Sequence, residues 1–228
     1  MNARSVSIIG LMAAVYAVVT LLPGFPVIGA PGSEIDLARS LEPIYGIIMG
    51  PYFGPLSAFL GAVLGKIVSG ESAGLLFTPL ALVSTLSAAL IYKDRVARIP
   101  GWAISGAILT AMVIAWSFTQ QAQNAPYFAV PHIAATAIAF GLGGRLSRFL
   151  RGSKIELLAG LFLVSYISTM TGNMLGNLIF VAVYSPSPYF FVPMLAITLP
   201  ERLLISLAST IIGAPLTIAA RKLSKPRP

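Results

Sequence analysis

Polar and ionisable side chains interrupt the long apolar runs of this chain, and their chemistry needs explaining. Such groups are costly at membrane depth and are often functional there. Asn173 and Asn177 lie four residues apart, so their amides share one helix face and offer donors and acceptors together. We expect seven residues to meet in the outer half of a helical bundle and to line a pocket for a small polar or zwitterionic molecule: Glu42, Tyr45, Lys66, Asn173, Asn177, Glu201 and Arg202.

The same residues also have plainer structural interpretations. Lys66 lies near the outer end of its predicted helix, where its amine can reach water along its own methylenes. The two amides can instead bond between helices. Glu201 and Arg202 follow Pro200, a favoured residue in a first helical turn, and can pair at the membrane interface. His132 is interpreted as a structural histidine, because the chain contains no second one.

Two short motifs resemble those of enzymes. GAVLGK at 61–66 is one residue short of a phosphate-binding loop, and Ile67 replaces the Ser or Thr that such a loop needs. GESAG at 70–74 matches the G-x-S-x-G pattern of serine hydrolases, with Ser72 and His132 as candidate reactive groups. The strand–turn–helix context of that pattern is missing, so an intramembrane serine hydrolase is a weaker alternative. We predict no catalytic residue, no metal ligand and no cofactor.

Composition places nearly all of the chain in a membrane. Of 228 residues, 57% are hydrophobic and only 10% are charged. Uncharged runs of about 20 residues recur throughout, which is typical of a multi-pass protein of the cell membrane. Cysteine is absent, so there is no disulfide or thiolate site. Most Lys and Arg flank apolar runs, as in cytoplasmic loops, which argues against a nucleic-acid partner; they lie at Arg4, 93–98, 145–154 and 221–227.

Six apolar segments are clear, and one further stretch decides the topology. The clear segments are Ser5–Leu22, Gly74–Tyr92, Trp102–Thr119, Phe128–Leu146, Leu157–Val183 and Leu199–Ala220. The further stretch, LEPIYGIIMGPYFGPLSAFLGAVLGKIVS (41–69), is divided by Gly-Pro pairs that favour a tight turn. If Pro23–Ser40 is outside and Lys93–Arg98 inside, an odd number of crossings must separate them, which excludes one kinked helix. A re-entrant loop and a hairpin of two short helices both satisfy the count, and we favour the hairpin.

This count predicts an all-α protein of eight membrane segments, with both termini in the cytoplasm and residues 1–228 in a single transmembrane domain. SAFLGAVLGKIV (57–68) resembles STMTGNMLGNLI (168–179), which raises the alternative of a parallel duplication of residues 1–100 and 101–228. The outer segment Pro23–Ser40, with three prolines and three glycines, is the expected lid of the pocket.

The first segment carries the best candidate for a docking face. Small side chains cluster towards its cytoplasmic half, where they let another helix approach closely: Ala13, Ala14 and Ala17. The pairs Gly61/Gly65 and Gly172/Gly176 have a similar spacing. Packing within the bundle is the plainer interpretation of all three groups.

Three stretches resemble the substrate-binding S component of an energy-coupling factor (ECF) transporter. LMAAVYA carries the small-residue motif that docks, in that family, on a transmembrane coupling subunit. EPIYGIIMGPYFGPLSAFLGAVLGKIVSG is similar to the family's second and third helices and the turn between them. LPERLLISLASTIIGAPL is similar to its final helix, whose polar start lines the pocket. Members usually have six helices, so the pair around Trp102–Leu146 is interpreted as an addition. The alternative is that the six helices end near Arg148 and that the last two segments are the addition.

The resemblance implies a membrane-embedded subunit that binds a vitamin or a similar small molecule for uptake. Its partners would be a transmembrane coupling subunit and two ATPases that supply the energy. A stand-alone secondary transporter, driven by an ion gradient, is the main alternative, and the duplication favours it.

Overall fold

Helices make up most of the protein in the computed structural model, which describes residues 3–22, 25–26, 34–35 and 37–224. The described α-helices are α1 (Ala3–Thr20), α2 (Leu41–Ser69), α3 (Pro79–Lys93), α4 (Gly101–Ser117), α5 (Gln120–Asn124), α6 (Val130–Leu142), α7 (Arg145–Phe149), α8 (Lys154–Tyr184) and α9 (Met194–Ser224). The 3₁₀ turns are Leu37–Ser40, Ser72–Phe77 and Pro126–Ala129. Two short antiparallel pairs join β1 (Phe25–Pro26) to β2 (Glu34–Ile35) and β3 (Arg95–Val96) to β4 (Ile99–Pro100). Most of the predicted lid, Pro23–Ser40, lies outside the described residues.

Among the described residues, five stretches are long and apolar enough to cross a membrane: Ala3–Thr20, Leu37–Ser69, Ser72–Lys93, Lys154–Tyr184 and Met194–Lys222. Two shorter apolar helices, Gly101–Ser117 and Pro126–Leu142, accompany them. The chain is therefore an all-α, membrane-embedded protein, as its composition predicts.

The last helix begins earlier than predicted. α9 begins at Met194 rather than Leu199, so Pro200 lies inside the helix and not in its first turn. Leu195 and Leu199 pack against the core together with Met194 and extend the helix towards its start. Their burial outweighs the backbone hydrogen bond that an internal proline removes. Glu201 and Arg202 therefore project from the third turn of a packed helix.

The stretch 41–69 is a hairpin of a short first helix and a longer second helix. Gly50 has φ 78° and ψ −175°, a conformation open essentially to glycine alone, and it separates the arms 41–49 and 51–69. A Cβ added to Gly54 would lie 2.6 Å from the carbonyl oxygen of Tyr45. Nine residues of straight helix would separate these positions by about 13 Å. The second arm therefore folds back against the first.

Both arms of the hairpin pack on α1. Tyr16 donates a 2.9 Å hydrogen bond to Glu42, and Tyr45 donates one of 2.8 Å to the carbonyl of Met12. These contacts make the first arm antiparallel to α1. In the second arm, Gly61 lies against Tyr16 and Gly65 against Thr20, so that arm runs parallel to α1.

Basic residues gather at one end of the bundle. The ammonium of Lys93, at the end of α3, lies 5.6 Å from the ring centre of Tyr52 in the hairpin turn. Arg151 donates to the carbonyl of Tyr92 at 2.6 Å. The turn of the hairpin therefore reaches the same level as the end of α3 and the start of α8.

The helices between 101 and 142 pack on α8 through an aromatic core. Trp116 of α4 lies 5.3 Å from Phe128 and 4.6 Å from Phe191, measured between ring centres. Tyr166 of α8 donates to the carbonyl of Pro131 at 3.1 Å. The glycine pair of α8, Gly172 and Gly176, instead faces α3. Both predicted glycine pairs thus pack inside the chain, while the duplication stays a prediction.

Candidate functional site

A cavity of about 460 Å³ lies at the end of the bundle opposite the basic cluster. The end of the hairpin's second arm, the turn Ser72–Phe77, α8, α9 and the loop 185–193 surround it. The second arm runs from Tyr52 at the basic end to Lys66 at the cavity, a distance of about 21 Å along the helix. Pockets of 300–1,000 Å³ are typical of small-molecule sites, so the cavity has room for an organic ligand.

Five of the seven predicted pocket residues line this cavity: Lys66, Asn173, Asn177, Glu201 and Arg202. The other two face α1 instead. The buried carboxylate of Glu42 accepts hydrogen bonds from Tyr16 and from Arg39, and Tyr45 is bonded to the backbone of α1. Glu42 is linked to the cavity through its ion pair with Arg39, which is itself a lining residue.

The charges at the cavity occur as pairs. Lys66 Nζ lies 2.7 Å from Glu71 Oε2, and Arg202 forms an ion pair with Glu201. Arg202 also donates to the hydroxyl of Thr169 at 3.0 Å. Each cationic side chain that lines the cavity thus has a carboxylate partner, since Arg39 pairs with Glu42. A ligand meets polar groups of both signs and little net charge.

An amide cluster forms the polar part of the wall on α8. Nδ2 of Asn177 donates to Oδ1 of Asn173 at 3.1 Å, as expected for residues one turn apart. His132 of α6 is fully buried, and its Nε2 lies 2.9 Å from the same oxygen. From the sequence alone, His132 is interpreted as a structural histidine. Its contact with Asn173 depends on the packing of α6 on α8, which the sequence does not reveal.

Aromatic rings form the apolar part of the wall: Phe77, Phe128, Phe180, Phe190 and Phe191. The loop that carries Phe190 and Phe191 is held from the α5 side of the bundle. Gln121 donates to the carbonyl of Pro186 at 2.8 Å, and Tyr127 donates to that of Val192 at 3.2 Å. This loop and the turn Ser72–Phe77 both contribute lining residues to the cavity.

Sequence reasoning missed this aromatic wall and Glu71. Phe190 and Phe191 lie in a loop between two apolar segments, where aromatic residues are typical of a membrane interface and carry no signal for a pocket. Glu71 is the exposed second residue of the GESAG motif, and only the fold-back after Gly70 brings it to Lys66.

The predicted docking alanines of α1 have different surroundings. Ala13 is buried, and its carbonyl oxygen would lie 2.6 Å from a Cβ on Gly61, so it packs inside the chain. Ala14 is exposed and Ala17 is half-buried. The outward face of α1 therefore presents Ala14 rather than Ala13.

The groups of the hydrolase motif are not arranged as a reactive pair. Ser72 is exposed in its 3₁₀ turn and does not line the cavity. His132 is buried behind Asn173. Within the described ranges, no group of three His, Cys, Asp or Glu side chains could hold a metal ion.

Comparisons with known proteins add no relative. No model of a known protein family matches the chain. No curated protein and no solved structure matches it either.

Proposed function

We propose that this protein is the membrane-embedded, substrate-binding subunit of an uptake system for a vitamin or a similar small molecule. The observation that carries the proposal is the cavity of about 460 Å³, where two ion pairs and two amides face aromatic rings. A few polar groups on apolar walls are characteristic of a small-molecule binding site.

The proposed topology has eight crossings of the cell membrane and both termini in the cytoplasm. Eight is the count when the two arms of α2 are taken separately and α4 and α6 are added to the other long helices. The cluster of Lys93, Arg151 and Arg221 supports a cytoplasmic position for its end of the bundle, because cytoplasmic loops are rich in Lys and Arg. The cavity then opens towards the outside, from which a nutrient arrives.

The proposed partners are a transmembrane coupling subunit and ATPase subunits. The chain resembles the S component of ECF transporters in the three stretches given above. α1 supports the proposal, because its outward face exposes Ala14 beside large apolar side chains such as Leu11 and Val18. A small residue there lets a partner helix approach closely.

The first test is native mass spectrometry of the chain, purified alone in mild detergent. A co-purified molecule of small mass is the expected result, and its mass identifies the ligand class. The matched variants are Asn177→Leu, which alters the cavity wall, and Thr110→Val, which removes a hydroxyl of α4 bonded to its own helix. The ligand should be lost from the first variant and kept by the second.

A second experiment separates the subunit from a stand-alone carrier. The purified chain is reconstituted alone in vesicles, with an ion gradient imposed and the co-purified molecule supplied in labelled form. The proposal expects binding without accumulation. Accumulation driven by the gradient would instead establish a secondary transporter and overturn the need for ATPase partners.

A further inference from the structure

The contact between His132 and the amide pair fixes how the cavity presents hydrogen-bonding groups. Oδ1 of Asn173 is bonded on two sides, by His132 Nε2 at 2.9 Å and by Asn177 Nδ2 at 3.1 Å. Turning over the amide of Asn173 alone would place its NH₂ group against the NH₂ of Asn177, which cannot accept a hydrogen bond. The two amides are therefore locked to each other.

Two amide atoms are left for a ligand, Nδ2 of Asn173 and Oδ1 of Asn177. Neither makes a hydrogen bond to another described residue, and both side chains line the cavity. One atom is a donor and the other an acceptor. The amides lie one helical turn apart, are joined by one hydrogen bond and both line the cavity, so the donor and the acceptor belong to the same polar part of its wall, the Asn173–Asn177 edge.

The presence of one donor and one acceptor on the two amides does not depend on the tautomer of His132. With the proton on Nε2, His132 donates to Oδ1 of Asn173, which also accepts from Nδ2 of Asn177. With the proton on Nδ1, both amides turn over together, so that Asn173 donates to His132 and to Asn177. The edge then presents an oxygen from Asn173 and an NH₂ from Asn177. In either state it offers one donor beside one acceptor.

The rest of the cavity favours a flat ligand without net charge. Lys66 is neutralised by Glu71, and Arg202 is neutralised by Glu201. Phe180, Phe190 and Phe191 supply ring faces and edges, with ring centres 5.1–6.4 Å apart. Aromatic rings at such distances leave faces on which a planar ring can stack.

Resting on the proposed function, we infer that the Asn173–Asn177 edge selects a planar ring that carries N–H and C=O on neighbouring atoms: a lactam, cyclic urea or cyclic imide. Such a ring donates to one amide and accepts from the other at once. His132 is the positioning residue, because it holds the amide pair in one arrangement without touching the ligand. The added helix α6 thereby contributes to specificity through α8.

The test compares two probes on the purified full-length chain by saturation-transfer NMR titration: quinolin-2(1H)-one and its N-methyl derivative. The rings are alike, but the methyl group removes the N–H. The first probe should bind at least about tenfold more tightly, because the second leaves a polar amide atom unpaired. In His132→Phe, which keeps a ring beside Phe128, the preference should fall to about threefold or less, because the amides are no longer locked.

Controls separate positioning from general damage. His132→Gln, whose amide can still bond to Asn173, should restore most of the preference. Thr136→Val removes a hydroxyl that bonds to the backbone carbonyl of His132, one turn away on α6, and should leave the preference intact. Asn177→Leu provides an independent variant if the histidine variants fail to fold, and it should lose the preference as well.

The outcomes distinguish this inference from the proposed function. Equal binding of both probes to the unaltered chain overturns the inference and leaves the cavity as a binding site. An unchanged preference in correctly folded His132→Phe also overturns it. If neither probe binds while a ligand co-purifies, the ligand class is wrong but the proposed function stands. If neither probe binds and nothing co-purifies, both proposals fail.

Discussion

The hydroxyl of Tyr16 in α1 donates a buried 2.9 Å hydrogen bond to the carboxylate of Glu42 in the hairpin. Arg39 lies 3.2 Å from the same carboxylate oxygen, so Glu42 joins α1, the hairpin and the edge of the cavity. A buried carboxylate is stable only when it is paired and hydrogen-bonded. Glu42 therefore holds the fold together rather than contacting a ligand directly.

We predict that Tyr16→Phe lowers the free energy of unfolding by about 1–3 kcal/mol, because the buried carboxylate loses one of its partners. Tyr52→Phe is the matched control, since the Tyr52 side chain is 72% exposed at the basic end. Thermal unfolding in detergent, followed by circular dichroism, measures both. Equal melting temperatures for the two variants would show that the Tyr16–Glu42 bond contributes little.

The close packing of Gly61 on α1 leads to a second prediction. A Cβ on Gly61 would lie 2.6 Å from the carbonyl oxygen of Ala13, so Gly61→Ala forces the hairpin away from α1. We expect a destabilisation of about 1–3 kcal/mol, typical of overpacking. Gly10→Ala is the control, because a Cβ there meets no atom within 4 Å. The same unfolding assay should show Gly10→Ala as neutral or slightly stabilising.

Docking of a partner on α1 is tested at Ala14. Ala14→Trp should abolish uptake by the complete system while the purified chain still binds its ligand, since only the helix contact is blocked. Val15→Trp enlarges a neighbouring, already exposed position about 100° around the helix and should keep uptake. Ala13→Trp is a poor probe, because Ala13 is buried against the hairpin. Loss of binding together with uptake in Ala14→Trp would mean that Ala14 supports the fold instead.

The absence of cysteine makes the proposed topology measurable by single cysteine substitutions. A membrane-impermeant maleimide added to intact cells should label Ser72→Cys, beside the cavity, and should not label Arg95→Cys or Tyr52→Cys. After the cells are opened, the last two should react as well. Labelling of Tyr52→Cys from outside would mean that the hairpin has the opposite orientation. No labelling of Tyr52→Cys in either condition would mean that the turn lies inside the membrane.

Sequence patterns located the hairpin but could not complete the site. The Gly-Pro pairs around Gly50 and the parity of the loops are local and topological signals, and the fold-back follows from them. Lys66, Asn173 and Arg202 stand out because polar groups are rare in such apolar helices. Glu42 is an equally unusual charged residue in an apolar helix, but its side chain faces α1. The face that a helix turns to its neighbours depends on packing, which the sequence pattern of that helix alone does not determine. His132 and Phe128 join the site only through the contact of α6 with α8.

The shortness of the hairpin's first arm bears on how the protein is made. Nine residues of helix, 41–49, extend about 14 Å, far less than the 30 Å of a hydrocarbon core. Such a segment gives the translocon little to recognise on its own. It packs on α1 through Tyr16 and Met12, and its Gly46 lies against the backbone of α3. We therefore expect the hairpin to leave the translocon only after α3 has been synthesised, so that residues 1–93 insert as one cooperative unit.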